Sequence, residues 1–240
     1  RTSLPVMEYK FNHLVTVELI DHMGSDLSVV NAARVSFNKE SDWDLDDKSR
    51  SKTKRLRKKD EKLIEYLAQH NHWSPFSHAT MSVRIAAPIF VARQLAKHQV
   101  GLAWNEISRR YVTYDPDIWI PETWRKQDEN LKQGSMDEEI TSPNLAIHTY
   151  QDAARHAVDA YNNLIKFGVC AEQARAVLTQ GMFTEWYWSG SLYAFSRVYN
   201  LRMEETAQRE TGEVAKGIGF HANRLFPISW KTLTGEAANG

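Results

Sequence analysis

Cysteine is nearly missing from this chain: Cys170 is the only one in 240 residues. One thiol excludes an intrachain disulfide framework and any multi-cysteine metal site, and it fits a reducing compartment. Also absent is any run of about 18 or more apolar residues, the length a membrane-spanning helix needs, and the first residues lack a signal peptide's uninterrupted apolar core. Neither sign of charge is in excess, because 30 Lys plus Arg balance 30 Asp plus Glu. A long nucleic-acid backbone is therefore not the expected main partner. No Gly-x-Gly-x-x-Gly follows a strand, which argues against a doubly wound dinucleotide site. His72 and His78 form a His-x5-His pair with no carboxylate or thiol near in sequence to complete a ligand set, so no metal is expected. These absences set the expectation of a cytoplasmic protein without membrane or metal.

What remains is ordinary globular material. Hydrophobic residues make up 42% and charged residues 25%, which favours neither disorder nor a membrane class. A chain this long buries roughly 70–75% of its unfolded surface, enough for one large domain or two small ones. His13 to Asp21 alternates and reads as a strand with Val15, Val17 and Leu19 on its buried face. Gly24 turns the chain, and Ser25 or Asp26 can cap a helix to Ala33. Asn38 to Lys62 is charged, with Lys52, Lys54, Arg55, Arg57, Lys58 and Lys59 clustered as a solvated face or a steering patch for anions. Asp60 to His70 has helical spacing, the turn HNHWSPFSH follows, and Met81, Val83 and Ile85 alternate in a strand. YVTYDPDIWIP reads as another strand segment, and Glu122 to Pro143 as a surface excursion. Asn144 to Phe167 is a long amphipathic helix, its stripe drawn through Leu145, Tyr150, Ala153, Ala157, Tyr161 and Leu164 and ended by Gly168. AEQARAVL is a short helix holding Arg175, which is either a snorkelling surface residue or an anion ligand. The aromatic run MFTEWYWS reads as a strand, Ser191 as the cap of a helix to about Leu201, and Thr206 to Leu225 as the final helix.

Chemistry concentrates between Pro88 and Tyr111. Pro88 suits a first helical position, and Ile89, Phe90, Ala92 and Leu95 give the helix an apolar side. Gln94, Lys97 and His98 then fall at i, i+3 and i+4, which places an amide, an ammonium and an imidazole on one face. After a turn at Val100 to Leu102, Asn105, Glu106, Ser108, Arg109 and Arg110 form a second polar cluster, expected to face the same cavity. Solvated charges beside a packed histidine explain this pattern as well as an anionic nucleotide site does.

The stretch resembles the signature of the flavin-dependent thymidylate synthases, which runs Arg-His-Arg, seven residues, then Ser within NE-x-S-x-R-Y. Here KHQ precedes Ser108 of NEISRRY by eight residues, with Lys97 and Gln99 in place of the arginines. GSDLSVVNAARVSF and NLRMEETAQRE are similar to family segments in the same order. The resemblance spans nearly the whole chain. It implies an α/β fold, a single domain over residues 1–240, with an antiparallel sheet flanked by helices and assembled as a homotetramer with shared active sites. The implied activity is reductive methylation of dUMP to dTMP with FAD as cofactor and methylenetetrahydrofolate and NADPH as co-substrates. A relative transferring another one-carbon group to dUMP, or a catalytically silent nucleotide- or RNA-binding relative, is the alternative.

Carried over position by position, the resemblance implies that Gln94, Ser108, Arg110 and Arg175 bind dUMP, with Lys97, Glu106 and Arg109 in the same set. Arg109 stands where many members have a small residue. Arg202 falls on the arginine that pairs with uracil, and a guanidinium there stabilises charge building on the pyrimidine. For FAD, the family's His-x-Thr-Pro-Phe-x-His turn maps to His72 and Ser74. The remaining flavin positions are Lys97, His98, Gln99, Glu106, Ser191, Tyr193 and Arg197. Members often carry Asn, Arg and Asn at the last three, and His where Thr206 stands. Cys170, in FGVCAEQ, has no adjacent histidine to activate it as a nucleophile.

Overall fold

The structure is a computed structural model describing residues 9–45, 54–128 and 135–235. Lys52 of the basic cluster lies outside the described residues. Strands are β1 (Phe11–Asn12), β2 (Thr16–Met23), β3 (Asp44–Leu45), β4 (Lys54–Arg55), β5 (Thr80–Pro88), β6 (Leu102–Glu106), β7 (Ile118–Trp119) and β8 (Phe183–Ser191). Helices are α1 (Asp26–Arg34), α2 (Lys58–Gln69), α3 (Ile89–Leu95), α4 (Pro143–Lys166), α5 (Ala171–Ala174), α6 (Leu192–Arg202), α7 (Arg209–Leu225) and α8 (Pro227–Thr234). The expected mixed α/β architecture with an antiparallel sheet and helices is present. Its main sheet runs in the order β2, β5, β8, β6. Outside that sheet β3 and β4 pair antiparallel, whereas β1 and β7 pair parallel, Phe11 opposite Ile118.

The chain divides into two compact units. One takes the described residues up to Thr16 with Ala86–Ala96 and Glu106–Trp186. Its core packs Ile118, Met182, Ala154 and Val158, ringed by Tyr9, Phe11, Ile89, Tyr150 and Leu178. Tyr161 of the α4 stripe is buried as expected, but Ala154 and Val158 take the buried places given to Ala153 and Ala157, and Leu145 is exposed. Tyr150 keeps its place because its hydroxyl donates to the Trp119 carbonyl at 2.6 Å. The strand expected over YVTYDPDIWIP shrinks to Ile118–Trp119, since Pro116 has no N–H to give a ladder.

The other unit takes Val17–Ile85, Lys97–Asn105 and the described chain from Tyr187 onward. Along β5, Met81, Val83 and Ile85 are buried in alternation, the period a sheet imposes on a one-sided core. β2 alternates as expected, but at the start of the strand order its inward face is only half-buried. Ser25 caps α1 through a capping box with Ser28. Helix α6 packs against α7, α8 and the Ser74–His78 turn. It buries Leu192, Ala194, Phe195, Val198 and Tyr199 and leaves Arg197 and Asn200 exposed.

Helix α8 has no counterpart in the reading of periodicity, although Pro227 at its start is a helix-entry signal. Its first turn is closed from a distance. The buried Asp26 carboxylate accepts from Ile228 N at 3.1 Å and Ser229 N at 2.9 Å, satisfying two orphan donors and meeting the helix dipole. Burial pushes the Asp26 carboxyl above its ordinary pKa, against the lowering by these bonds. Asp26→Ala is expected to lower unfolding free energy by about 2 kcal/mol in urea titration. Asp26→Asn, which keeps an acceptor and removes the buried charge, is expected to lower it by less.

Candidate active site

Helix α3 follows β5 without a loop, so Pro88 is its extended N-cap, φ −67° and ψ 153°, and not its first helical residue. The helix stops at Leu95, with Ala96 N bonded to Ala92 O. Gln94 is therefore the last of the expected trio to lie on it. Lys97 and His98 are in the turn beyond, because Gly101 at φ +78° and the Leu102 N to Gln99 O bond close the chain toward β6.

In the first unit Gln94 is half-buried at the end of α3, and Glu106 ends β6 with Oε1 accepting from Thr184 Oγ1 at 2.7 Å. The NEISRRY segment makes a tight turn closed by Tyr111 N to Ser108 O at 3.0 Å. Inside it the Ser108 hydroxyl accepts from Arg110 N at 3.3 Å and Arg110 Nε at 3.4 Å. Arg110 is exposed, its guanidinium 5.2 Å from the Tyr111 ring. Arg109 goes the other way. It is 6% exposed, donates to the Tyr114 carbonyl and lies 4.6 Å over the Tyr114 ring. Burial holds its pKa below the usual arginine value, with Tyr114, Tyr161, Asp115 and Asp117 opposing. Arg175 is exposed and donates from Nε to the Glu172 carbonyl at 3.2 Å. An exposed guanidinium held only through Nε is compatible with either a surface residue or an anion ligand.

In the second unit a side-chain bond joins two motifs 104 residues apart. Arg202 Nε donates to His98 Nε2 at 3.0 Å. Burial, then the Arg202 and Arg197 charges, hold His98 below its ordinary pKa. Burial also lowers Arg202, with Glu204 opposing, and an arginine remains cationic throughout. Two clefts open beside α6, and His98 lines one of them. One, of about 160 Å³, is lined by Lys97, His98, Gln99, Arg197 and apolar Val198 and Leu201 among others. The other, of about 170 Å³, includes His72, Trp73, Tyr193, Arg197 and Asn200, with Thr232 and Leu233 contributed by α8. Arg197 lines both. Ser74 and Ser191 line neither; Ser191 caps α6, accepting from Ala194 N at 3.2 Å.

This donor set fits a flavin dinucleotide. Lys97 and Arg197 bring exposed cations for phosphates, Gln99 and Asn200 bring amides for ring or ribose oxygens, and Trp73 and Tyr193, 6.2 Å apart, bring flat faces for a ring system.

The family described as thymidylate synthase complementing protein matches residues 18–228. The chain belongs to that family. It is similar to the flavin-dependent thymidylate synthase of Thermus thermophilus, 34% identical over 99% of this chain and 80% of that one. The flavin-dependent thymidylate synthase of Kosmotoga olearia is 32% identical over 98% and 96%. Among solved structures, the UMP/dUMP methylase PolB from Streptomyces cacaoi bound with 5-Br dUMP superposes with a TM-score of 0.80. It is 26% identical, covering 95% of this chain and 98% of that one.

Within this member of the thymidylate synthase complementing family, the second unit brings Lys97, His98, Gln99, Arg197 and Arg202 together, and His72 with Tyr193 and Arg197. Trp73, Asn200 and the α8 pair were missed by motif reading. The 55% exposure of Trp73, two residues before the buried Pro75 and Phe76, is visible only in three dimensions. Among the described residues no group of three or more metal-type ligands converges, and no helix is long and apolar enough to cross a membrane. The two neighbouring arginines are expected to separate experimentally. Arg109→Ala, which removes a buried side chain together with its bond to the Tyr114 carbonyl, should lower stability by about 1.5–3 kcal/mol in urea titration. Arg110→Ala should stay within about 0.5 kcal/mol of wild type.

Proposed function

We propose that this protein catalyses reductive methylation of dUMP to dTMP, with FAD bound in the α6 clefts, methylenetetrahydrofolate as carbon donor and NADPH as reductant. The observation that supports this reading is the half-buried Arg202 guanidinium, bonded to His98 of the family's flavin triplet, which itself lines a cleft beside α6. Family membership supports it independently. A methylene unit replaces the C5 hydrogen of uracil and becomes a methyl group on gaining a hydride, while the C5 proton leaves. Bound FAD supplies the redox chemistry that relays the reducing electrons.

The chain's own residues bind and polarise. Arg110, Ser108, Gln94 and Arg175 hold the nucleotide, Arg110 as the forked partner of a phosphate. Glu106, its carboxylate oriented by Thr184, serves as an acceptor for substrate or flavin N–H groups. Arg109 belongs to the loop it stabilises. Arg202 faces the pyrimidine and stabilises charge developing on it. Ser108 binds and does not attack, because its hydroxyl is organised by Arg110. Cys170, exposed at the start of α5 and with no histidine beside it in the sequence, is given no part in this reading. Residues 1–240 act as one functional domain in this reading. A cytoplasmic homotetramer with shared sites completes it, supported by exposed apolar surface such as Phe220.

Purified protein is expected to take up FAD, to bleach with NADPH, and to release tritium from C5-labelled dUMP in a folate-dependent way. Product mass distinguishes methyl from hydroxymethyl. A colourless protein that binds no FAD at saturation refutes the proposal. Arg202→Ala is expected to lower turnover about 100- to 1000-fold, about 2.7–4 kcal/mol, with flavin retained, while Arg175→Ala mainly weakens dUMP.

Replacing two arginines of the triplet by Lys97 and Gln99 removes one charge and both forks, and Arg197, in the same cleft as Gln99, compensates. FAD titrations should show weaker binding for Arg197→Ala, much of it restored by adding Gln99→Arg. The pair should be non-additive. Unchanged affinity in Arg197→Ala would reject compensation.

A further inference from the structure

We propose that His98 is a positioning residue: as a neutral imidazole with its proton on Nδ1, it orients the Arg202 guanidinium, and protonation of His98 releases it. The proposal rests on the role given to Arg202 above, and its foundation is one bond. A guanidinium can only donate, so His98 Nε2, 3.0 Å from Arg202 Nε, must present a lone pair. A neutral ring carries one N–H, and it is therefore on Nδ1. Protonated His98 would oppose N–H to N–H between two cations, and the bond would be lost.

The surroundings are built for the neutral form. From α6, Arg202 and Arg197 act on His98, and Lys97 precedes it in the chain. Glu204, beyond the end of α6, acts on Arg202. Among the described residues, the charges acting on the ring are thus cationic. The buried Val198 and half-buried Leu102 line the same cleft and give the imidazolium apolar neighbours in place of water on that side. Burial and these cations hold His98 below its ordinary value of about 6.5. The sign follows: the ring is neutral and Arg202 held at neutral pH, and the arrangement is lost only as pH falls through the depressed pKa.

The test has two arms. In the first, long-range 15N–1H correlation spectra of histidine-labelled wild type should show His98 with bare Nε2 and protonated Nδ1 at neutral pH, titrating below its ordinary value. Arg202→Ala should raise that pKa and mix the tautomers. In the second, kcat/KM for dUMP should fall about tenfold per pH unit below the His98 pKa. His98→Gln, whose amide oxygen accepts near the Nε2 position and does not titrate, should lose this acid limb whatever its absolute rate. A protonated Nε2, a His98 pKa at or above the ordinary value, or an acid limb surviving in His98→Gln overturns the proposal. The spectroscopic arm needs no turnover. A protein that makes no dTMP would refute the functional reading, while the tautomer would still decide the His98–Arg202 bond.

Discussion

Trp188 ties together the three elements on which the second unit's site depends. Fully buried on β8, it meets Trp104 of β6 edge-on at 5.4 Å and Phe195 of α6 at 5.5 Å. Each such pair contributes about 0.5–1.5 kcal/mol beyond area burial, and together they fix the angle at which α6 leaves the sheet. The backbone completes the joint. Gly190 lets the Gly101 carbonyl approach β8, and a Cβ at Gly101 would stand 3.0 Å from Ala194 Cβ. Ser191 N bonds to Gly101 O at 3.4 Å. The turn carrying Lys97, His98 and Gln99 is thereby clamped against the start of α6, whose last residue is Arg202.

That geometry decides the electrostatics. Arg202 ends α6, where the helix dipole favours a cation, and the His98 bond directs one of its N–H groups without cancelling its charge. A carboxylate in that place would neutralise the guanidinium and weaken its pull on an electron-rich ring. A neutral acceptor orients it and leaves its charge intact.

The sequence revealed this centre only in pieces. Periodicity finds α2, α4 and α7 because each buries a stripe long enough to read, the cap at Ser191 finds α6, and β5 is found because Met81, Val83 and Ile85 alternate cleanly. It misplaces Lys97 and His98 on α3, since helical spacing continues past Leu95 while the glycine turn ends the helix. It treats Arg109 and Arg110 alike, because adjacency in sequence carries no information about burial; the Tyr114 carbonyl and ring decide that Arg109 turns inward. Motif resemblance points to both His98 and Arg202, but their hydrogen bond spans 104 residues and follows from packing around Trp188, not from any local pattern.

The altered triplet makes fuller sense against this packing. Losing two forks from the turn takes positive charge away from the His98 side, and Arg197, where family members often carry Asn, returns it from α6. The position is exposed on α6 and lines both clefts, so the side chain can reach a phosphate without being buried. The same charge acts on His98 and disfavours its imidazolium. An arginine at 197 therefore has two effects together: it brings a cation to both clefts, and it disfavours the imidazolium form of the ring bonded to Arg202. A triplet restored to Arg-His-Arg would place cations on both sides of His98 along the chain. Moving the charge onto the helix leaves Gln99 as a neutral neighbour and lets one arginine meet both requirements.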